Sequence, residues 1–300
     1  MNAQPIIWVN GRRQADLPVT DRGLQYGDGF FTTALIVCGR LLNWQAHWRR
    51  LQNSAVRLKM PELCQASLLA EIKNALAELT SIETHADNAW ILKILITRGS
   101  GGRGYQPPRE AEITRILQFS HTTDAFSCGA SAIELPIQAA MSIPVCITLS
   151  GMQPQLAGIK HLNRLENVLA RAELEESPEG LMLNGAGEVI GGTQSNLFVV
   201  KDGRLLTPIL DLSGVEGTCR YQLLRLAEEQ MQGAQEVRLK LLDLQGADSV
   251  FLANAVRGIM PVRELKTGMG TWHFANREVA EWQRLWQKFQ RENGLDLHVD

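Results

Sequence analysis

The chain has no surplus of charge of either sign. Lys and Arg number 30 against 32 Asp and Glu in 300 residues, a formal net charge of -2. That balance leaves no electrostatic footprint for nucleic acid or an anionic membrane surface. Its five cysteines, Cys38, Cys64, Cys128, Cys146 and Cys219, form no Cys-x-x-Cys pair. Their odd number and wide scatter argue against a disulfide framework and for a reducing cytoplasm. The six histidines lack metal-ligand spacing, so no metal site is expected. No apolar run reaches membrane-spanning length, and Met1 to Val9 holds no basic stretch ahead of a long apolar core. Neither a membrane span nor a signal peptide is therefore expected. Tandem repeats and low-complexity segments are missing too. What remains is ordinary globular material, 45% apolar and 21% charged, able to bury a full core in one large domain or two of usual size.

Local patterns give a mixture of strands and helices. Ile6-Ile7-Trp8-Val9, the tight-turn pair Asn10-Gly11 and Arg12-Arg13-Gln14 read as a hairpin. Three glycines within Gly23 to Gly29 make a tight loop that feeds an apolar strand ending at Val37. A second hairpin turns at Cys38-Gly39-Arg40. A helix follows from about Asn43, with Trp48, Leu51, Ala55 and Leu58 on one side. Adjacent Arg49 and Arg50 in it point in different directions, so at most one faces a given site. Leu63 to Leu79 is a further amphipathic helix. Ala89 to Thr97 reads as a strand buried on part of both faces, and Lys93 within it is placed at an edge or with its amine reaching water.

Arg98-Gly99-Ser100-Gly101-Gly102-Arg103-Gly104-Tyr105 has the glycine spacing of a dinucleotide fingerprint, but that motif requires a helix next. Gln106-Pro107-Pro108 opposes one. The segment is instead a mobile loop whose two arginines suit a dianionic substrate. After a strand over Ile113 to Ser120, a polar, small-residue stretch connects two domains, set at 1–122, 123–131 and 132–300. Strands near Ile133–Leu135 and Val145–Leu149 lead to Gly158-Ile159-Lys160-His161-Leu162-Asn163-Arg164-Leu165-Glu166. There Leu162, Leu165, Val168, Leu169 and Ala172 recur at helical spacing, predicting a helix that buries one face and starts near Lys160. The free N–H groups of a helix start, with desolvation, would hold the lysine amine uncharged, the form needed for Schiff-base chemistry. Most lysines beside helices are simply solvated, and the pattern alone leaves that reading open.

Further on, Leu181 to Leu183 and Glu188 to Ile190 pair across a turn. Gly191-Gly192-Thr193-Gln194-Ser195-Asn196-Leu197-Phe198 follows, and Lys201-Asp202-Gly203-Arg204 makes another hairpin turn. Small residues from Ser213 to Thr218 open a helix and would let backbone N–H groups approach a phosphate, although plain capping by Ser213 explains the pattern equally. Val250 to Ala255 is a core strand ending in polar Asn254, with Met260 to Val262 as its return. Trp272 to Asn293 closes the chain as a helix, and the tail to Asp300 frays.

The run Ala157 to Glu166 closely resembles the lysine segment of aminodeoxychorismate lyases. These are fold-type IV pyridoxal-phosphate (PLP) proteins, grouped with branched-chain and D-amino-acid aminotransferases. The likeness extends over nearly the whole chain, and Thr97-Arg98-Gly99 through Tyr105 is similar to the lyase loop rather than to the aminotransferases. The resemblance implies an α+β fold of two domains with mixed sheets, a cofactor cleft between them, and a homodimer. It implies PLP on Lys160, with Lys160 as general base. Arg50, in His47-x-x-Arg50-Leu51, would bind the phosphate, assisted by Val215, Gly217, Thr218 and Asn254. Tyr26, Thr33, Arg98 and Arg103 would meet the substrate, and 4-amino-4-deoxychorismate would become 4-aminobenzoate and pyruvate for folate synthesis. Alternatives are a D- or branched-chain aminotransferase, or a PLP binder with weak catalysis. The last rests on Gly191, which stands where the family has a glutamate paired with the pyridine nitrogen. Glu188, three residues away along a strand, points to the other face and is a poor substitute unless a bulge intervenes.

Overall fold

The computed structural model describes residues 4–82, 89–122, 126–128, 133–230 and 233–297. Most of the connection expected at 123–131 and the last three residues lie outside them. Two compact units divide the chain. Unit 1 holds Met1–Pro136, Lys160–Asn163 and Gln290–Asp300, and unit 2 holds Ile137–Ile159 and Arg164–Phe289. Both are therefore discontinuous, unlike the single cut expected from composition.

Unit 1 is built on a seven-stranded sheet. Its strands are β1 (Ile6–Val9), β2 (Arg12–Arg13), β3 (Gly29–Val37), β4 (Arg40–Leu42), β5 (Ala89–Thr97) and β6 (Thr114–His121), with β18 (Gly294–Asp296) from the C-terminal end. The order is β18-β4-β3-β5-β6-β1-β2 and every pairing is antiparallel. The short pair β7 (Ser127–Cys128) and β8 (Ile133–Glu134) stands apart. Both expected tight turns form, with positive φ at Asn10 and Gly11 and again at Cys38 and Gly39, the geometry that matches the twist of a hairpin. The tail does not fray at residues 294–296: Leu295 pairs with Leu41, and Leu297 N–H donates to Gly39 O. Cys38 is disulfide-bonded, against the expectation of no bridges, whereas Cys64, Cys146 and Cys219 are free.

Helix α1 (Arg22–Tyr26) occupies what the sequence suggested was only a loop. Asp21 caps it through Gly23 N–H, and Gly27 ends it at φ 63°. Helix α2 (Trp44–Arg57) packs on β3 and buries Trp44, His47, Trp48, Leu51 and Ala55, the side its periodicity marks. Helix α3 spans Gln65–Ile82. Strand β5 lies between β3 and β6, so Lys93 sits mid-sheet and not at an edge.

Unit 2 has its own sheet, of β9 (Met141–Pro144), β12 (Asn196–Lys201), β13 (Arg204–Pro208), β14 (Ala234–Val237), β15 (Ser249–Asn254), β16 (Gly258–Thr267) and β17 (Gly270–His273). The order is β14-β13-β12-β15-β16-β17, with β9 joining β16 in parallel. Alternate side chains feed two cores. Leu197, Val199, Val250 and Leu252 enter one, while Phe198, Val200, Phe251 and Ala253 enter the other, where Phe198 and Phe251 stack at 5.1 Å. Each such burial is worth about 1.5–3 kcal/mol, which is why β12 and β15 read as continuous apolar runs. Helices α5 (Thr218–Gln230) and α6 (Val279–Glu292) cover the second core with Leu223, Ala227, Trp282 and Trp286. The strand expected over Val145–Leu149 ends earlier, at Pro144, and the closing helix starts only at Val279, after β17. A separate ladder joins β10 (Leu181–Leu183) to β11 (Val189–Gly192).

Helix α4 (Leu165–Ala172) departs most from expectation. Its apolar stripe is exposed in the single chain, with Leu165 76%, Val168 61% and Leu169 59% accessible. Helical periodicity reports that a face is apolar, not which molecule covers it. Among the described residues, no helix is long and apolar enough to cross a membrane.

Candidate active site

Lys160 is mounted on β3. Along β3, strand β4 pairs with Ile36 and Val37 at the far end, which leaves the edge of β3's first residues open. Residues 160–162 occupy that edge. Phe31 N–H donates to Lys160 O at 2.9 Å, Leu162 N–H donates to Gly29 O at 3.1 Å, and Phe30 bridges to His161. Gly29 is needed for this approach, since a Cβ there would lie 2.4 Å from Ile96 O and 2.9 Å from Leu162 Cδ1. The expected helix start near Lys160 is thus replaced by extended backbone, and α4 begins five residues later. The amine of Lys160 lies 4.5 Å from the centroid of the Phe31 ring, on its face. Lys93 Nζ lies 5.0 Å from the same ring, and burial lowers the pKa of Lys93. Thr33 is half-buried beside Lys93 in the sheet register.

Arg50 is half-buried on α2 and donates through Nη2 to Thr32 Oγ1. Thr32 Oγ1 lies 2.6 Å from Nδ1 of His47, which is fully buried. Burial, then the charges of Arg50 and Lys160, push the pKa of His47 well below its ordinary value, so the imidazole is neutral.

The glycine-rich loop is pinned. Arg22 donates through Nη1 to the carbonyls of Gly101, Gly104 and Gln106 and through Nη2 to that of Tyr105. Its Nε donates to Asp28 Oδ2 at 2.9 Å, and Arg98 Nε donates to the same oxygen at 2.8 Å. Burial alone would raise the Asp28 pKa; the hydrogen bonds and charges of Arg98 and Arg22 outweigh it and hold the carboxyl below its ordinary value. Arg98 spends its remaining ends on Leu58 O and Lys59 O, so its guanidinium anchors the loop base. Arg103 is exposed at the loop tip, and Tyr105 meets Tyr26 edge-on at 5.6 Å. Nothing in the sequence signalled the part played by Arg22.

In unit 2, Gly158 N–H donates to Gly214 O and Glu216 N–H donates to Gly158 O, so the lead-in to Lys160 is laced to the segment that opens α5. Asn196 clamps that segment from β12: its Nδ2 donates to Val215 O at 2.8 Å and its Oδ1 accepts Gly217 N–H at 3.1 Å. A Cβ at Gly217 would lie 2.1 Å from that oxygen. Gly217 therefore gives its N–H to Asn196, and Thr218 stands first in the helix. Ser213 Oγ, at the head of the segment, is buried with no hydrogen-bond partner among the described residues. Asn254 Oδ1 accepts Val256 and Arg257 N–H, closing the turn after β15. Beneath the Gly192 to Ser195 turn, the buried Glu179 carboxylate accepts from Gly180, Thr193, Gln194 and Ser195, another group sequence reasoning missed. Gly191 has φ 156°, and a Cβ there would lie 2.7 Å from Ser195 O. A bulge does fall before it, yet Glu188 is committed to Asn184 and Arg238.

In unit 1 a lysine amine on an aromatic face accompanies a guanidinium, and in unit 2 a glycine-bearing helix start follows the buried Ser213 hydroxyl; each taken by itself is the kind of group that suits an aldehyde or a phosphate. Residues 29–265 match the family model of class IV amino-transferases, and the chain belongs to that family. It is 37% identical over 260 residues to the aminodeoxychorismate lyase of Vibrio harveyi, covering 86% of this chain and 90% of that one. It is also similar to the crystal structure of 4-amino-4-deoxychorismate lyase from Pseudomonas aeruginosa, with 37% identity, TM-score 0.77, and coverage of 96% and 99%. The branched-chain amino acid aminotransferase of Escherichia coli shares the fold, with TM-score 0.77 at 22% identity over 99% and 100% of the two chains.

Proposed function

We propose that this chain is a PLP-dependent aminodeoxychorismate lyase, converting 4-amino-4-deoxychorismate to 4-aminobenzoate and pyruvate. The observation that carries this reading is the Ala157 to Glu166 run, its lysine set on β3 with the amine against Phe31, in a chain that matches two such lyases over most of its length. Lys160 would hold the cofactor's carbonyl carbon. Arg50, Val215, Gly217 and Thr218 would be the phosphate contacts, as the resemblance implies, with Gly217 serving through its missing side chain. Asn254 contributes by shaping its turn. When bound, PLP supplies a sink for the electron pair left as the substrate carbon bearing nitrogen loses its proton.

Lys160 takes that proton, which requires an uncharged amine. The ring carbon–ether oxygen bond then breaks with its electron pair leaving on oxygen, the departing enolate picks up a proton on its terminal carbon to become pyruvate, and aromatisation drives the step. Tyr26, Thr33 and Arg103 would orient the substrate. Arg98, with its donors engaged, serves by fixing the loop from which Arg103 projects. A homodimer belongs to this reading. Glu173 and Glu166 of the α4 region hold residues 147–151 alongside the helix, so Ile147, Leu149 and Met152 extend the exposed Leu165, Val168 and Leu169 patch, which a second copy would cover. Light scattering on the eluted protein tests it.

The direct test of function follows pyruvate release from aminodeoxychorismate by wild type and Lys160→Ala. Release by wild type alone is expected, and release by neither sinks the reading. An aminotransferase would instead convert its cofactor to the amine form when given D-alanine or glutamate. Gly191 favours slow catalysis as the fallback, with cofactor bound and little pyruvate released.

A further inference from the structure

Arg50, Thr32 and His47 form a chain of hydrogen bonds whose direction is set by chemistry. A guanidinium only donates, so Arg50 fills one acceptor position on Thr32 Oγ1. The threonine hydroxyl carries one proton, and among the described residues the other partner at that oxygen is His47 Nδ1 at 2.6 Å. A neutral imidazole with Nδ1 unprotonated accepts that proton and keeps its own on Nε2. The reverse arrangement would aim two donors at Thr32 and leave its hydroxyl proton stranded in a buried place. Among the described residues His47 Nε2 is buried without a hydrogen-bond partner, and the bond to Thr32 is the one that tethers the imidazole there. His47 and Arg50 are three residues apart on α2, on one face, and Thr32 meets them from β3.

We propose that Thr32 and His47 are positioning residues that aim the Arg50 guanidinium at the cofactor phosphate without touching the cofactor. This rests on the reading of Arg50 as a phosphate anchor. The aim matters because a guanidinium recognises phosphate through a planar fork, and a long side chain left to rotate loses that match.

The test titrates the apoprotein with PLP and, separately, with pyridoxal, which lacks the phosphate, reading dissociation constants by absorbance. Thr32→Val and His47→Leu should weaken PLP binding about tenfold and leave pyridoxal binding unchanged. Thr32→Ser and His47→Asn keep the hydroxyl and an acceptor at the Nδ1 position, and both should bind PLP nearly as wild type does. Arg50→Lys separates the two levels. If it binds PLP as well as wild type, the phosphate role of Arg50 fails and the inference fails with it. If Arg50→Lys is weak while Thr32→Val and His47→Leu match wild type, only the inference is overturned. A nitrogen-15 NMR spectrum of the wild-type apoprotein, with His47 assigned by its loss in His47→Asn, needs no substituted core to fold. Nδ1 should resonate as the unprotonated nitrogen, and a protonated Nδ1 refutes the chain.

Discussion

Replacing Asp28 by asparagine removes the one carboxylate shared by Arg22 and Arg98. The two guanidinium side chains are 4% and 10% exposed, and the carboxylate is 17% exposed. Breaking a buried pair from one side costs about 3–5 kcal/mol, because a charge is left without its partner. An amide oxygen still accepts from one Nε, which places the expected loss near the lower end, at about 3 kcal/mol. Urea unfolding of the apoprotein at neutral pH, followed by fluorescence, measures it. Acid gives an internal control. The folded-state pKa of Asp28 lies below its ordinary 3.8, so its contribution is complete above that value and disappears as pH falls through the folded value. Wild type and Asp28→Asn should therefore converge on acidification. A difference below about 0.5 kcal/mol at neutral pH, or one that persists undiminished in acid, refutes the reasoning.

Other consequences are as direct. Arg22→Lys cannot reach the loop carbonyls with a fork, so KM for the substrate should rise more than kcat falls, and trypsin should cut after Arg103 faster; equal cleavage rates would count against the pinned loop. Gly191→Glu places a side chain at φ 156° with its Cβ 2.7 Å from Ser195 O. It should cost about 1–3 kcal/mol of stability and bring no gain in turnover, whereas a gain would mean that the turn reshapes freely. Exposed Cys64 should react with a disulfide reagent in the native protein. Cys146, whose thiol burial, then Glu173 and Glu179, push up to about 12, and fully buried Cys219 should stay silent until unfolding; fast reaction of either contradicts the packing.

Elements whose partners lie close in sequence were legible. Asn10-Gly11, Cys38-Gly39 and Asp202-Gly203 each mark a hairpin because their backbone demands are local. The buried side of α2 followed from its period. The setting of Lys160 was not legible: the pattern after it belongs to a helix that starts at Leu165, and only the short reach of β4 along β3 opens an edge for residues 160–162. Arg98 looked like a substrate contact because an arginine in a glycine loop carries no sign of which oxygen it will meet, and Asp28 is 70 residues away in sequence. Arg22 and Glu179 escaped notice for the same reason, since their acceptors and donors come together only in the folded chain. The exposed stripe on α4 shows the converse, an apolar period with no cover in the single chain.

Two lysines, Lys160 and Lys93, present amines to the Phe31 ring. Borohydride reduction of the PLP-loaded protein, followed by peptide mapping, distinguishes them. The pyridoxyl label should be found on the peptide carrying Lys160; a label on Lys93, or none on either, contradicts the account.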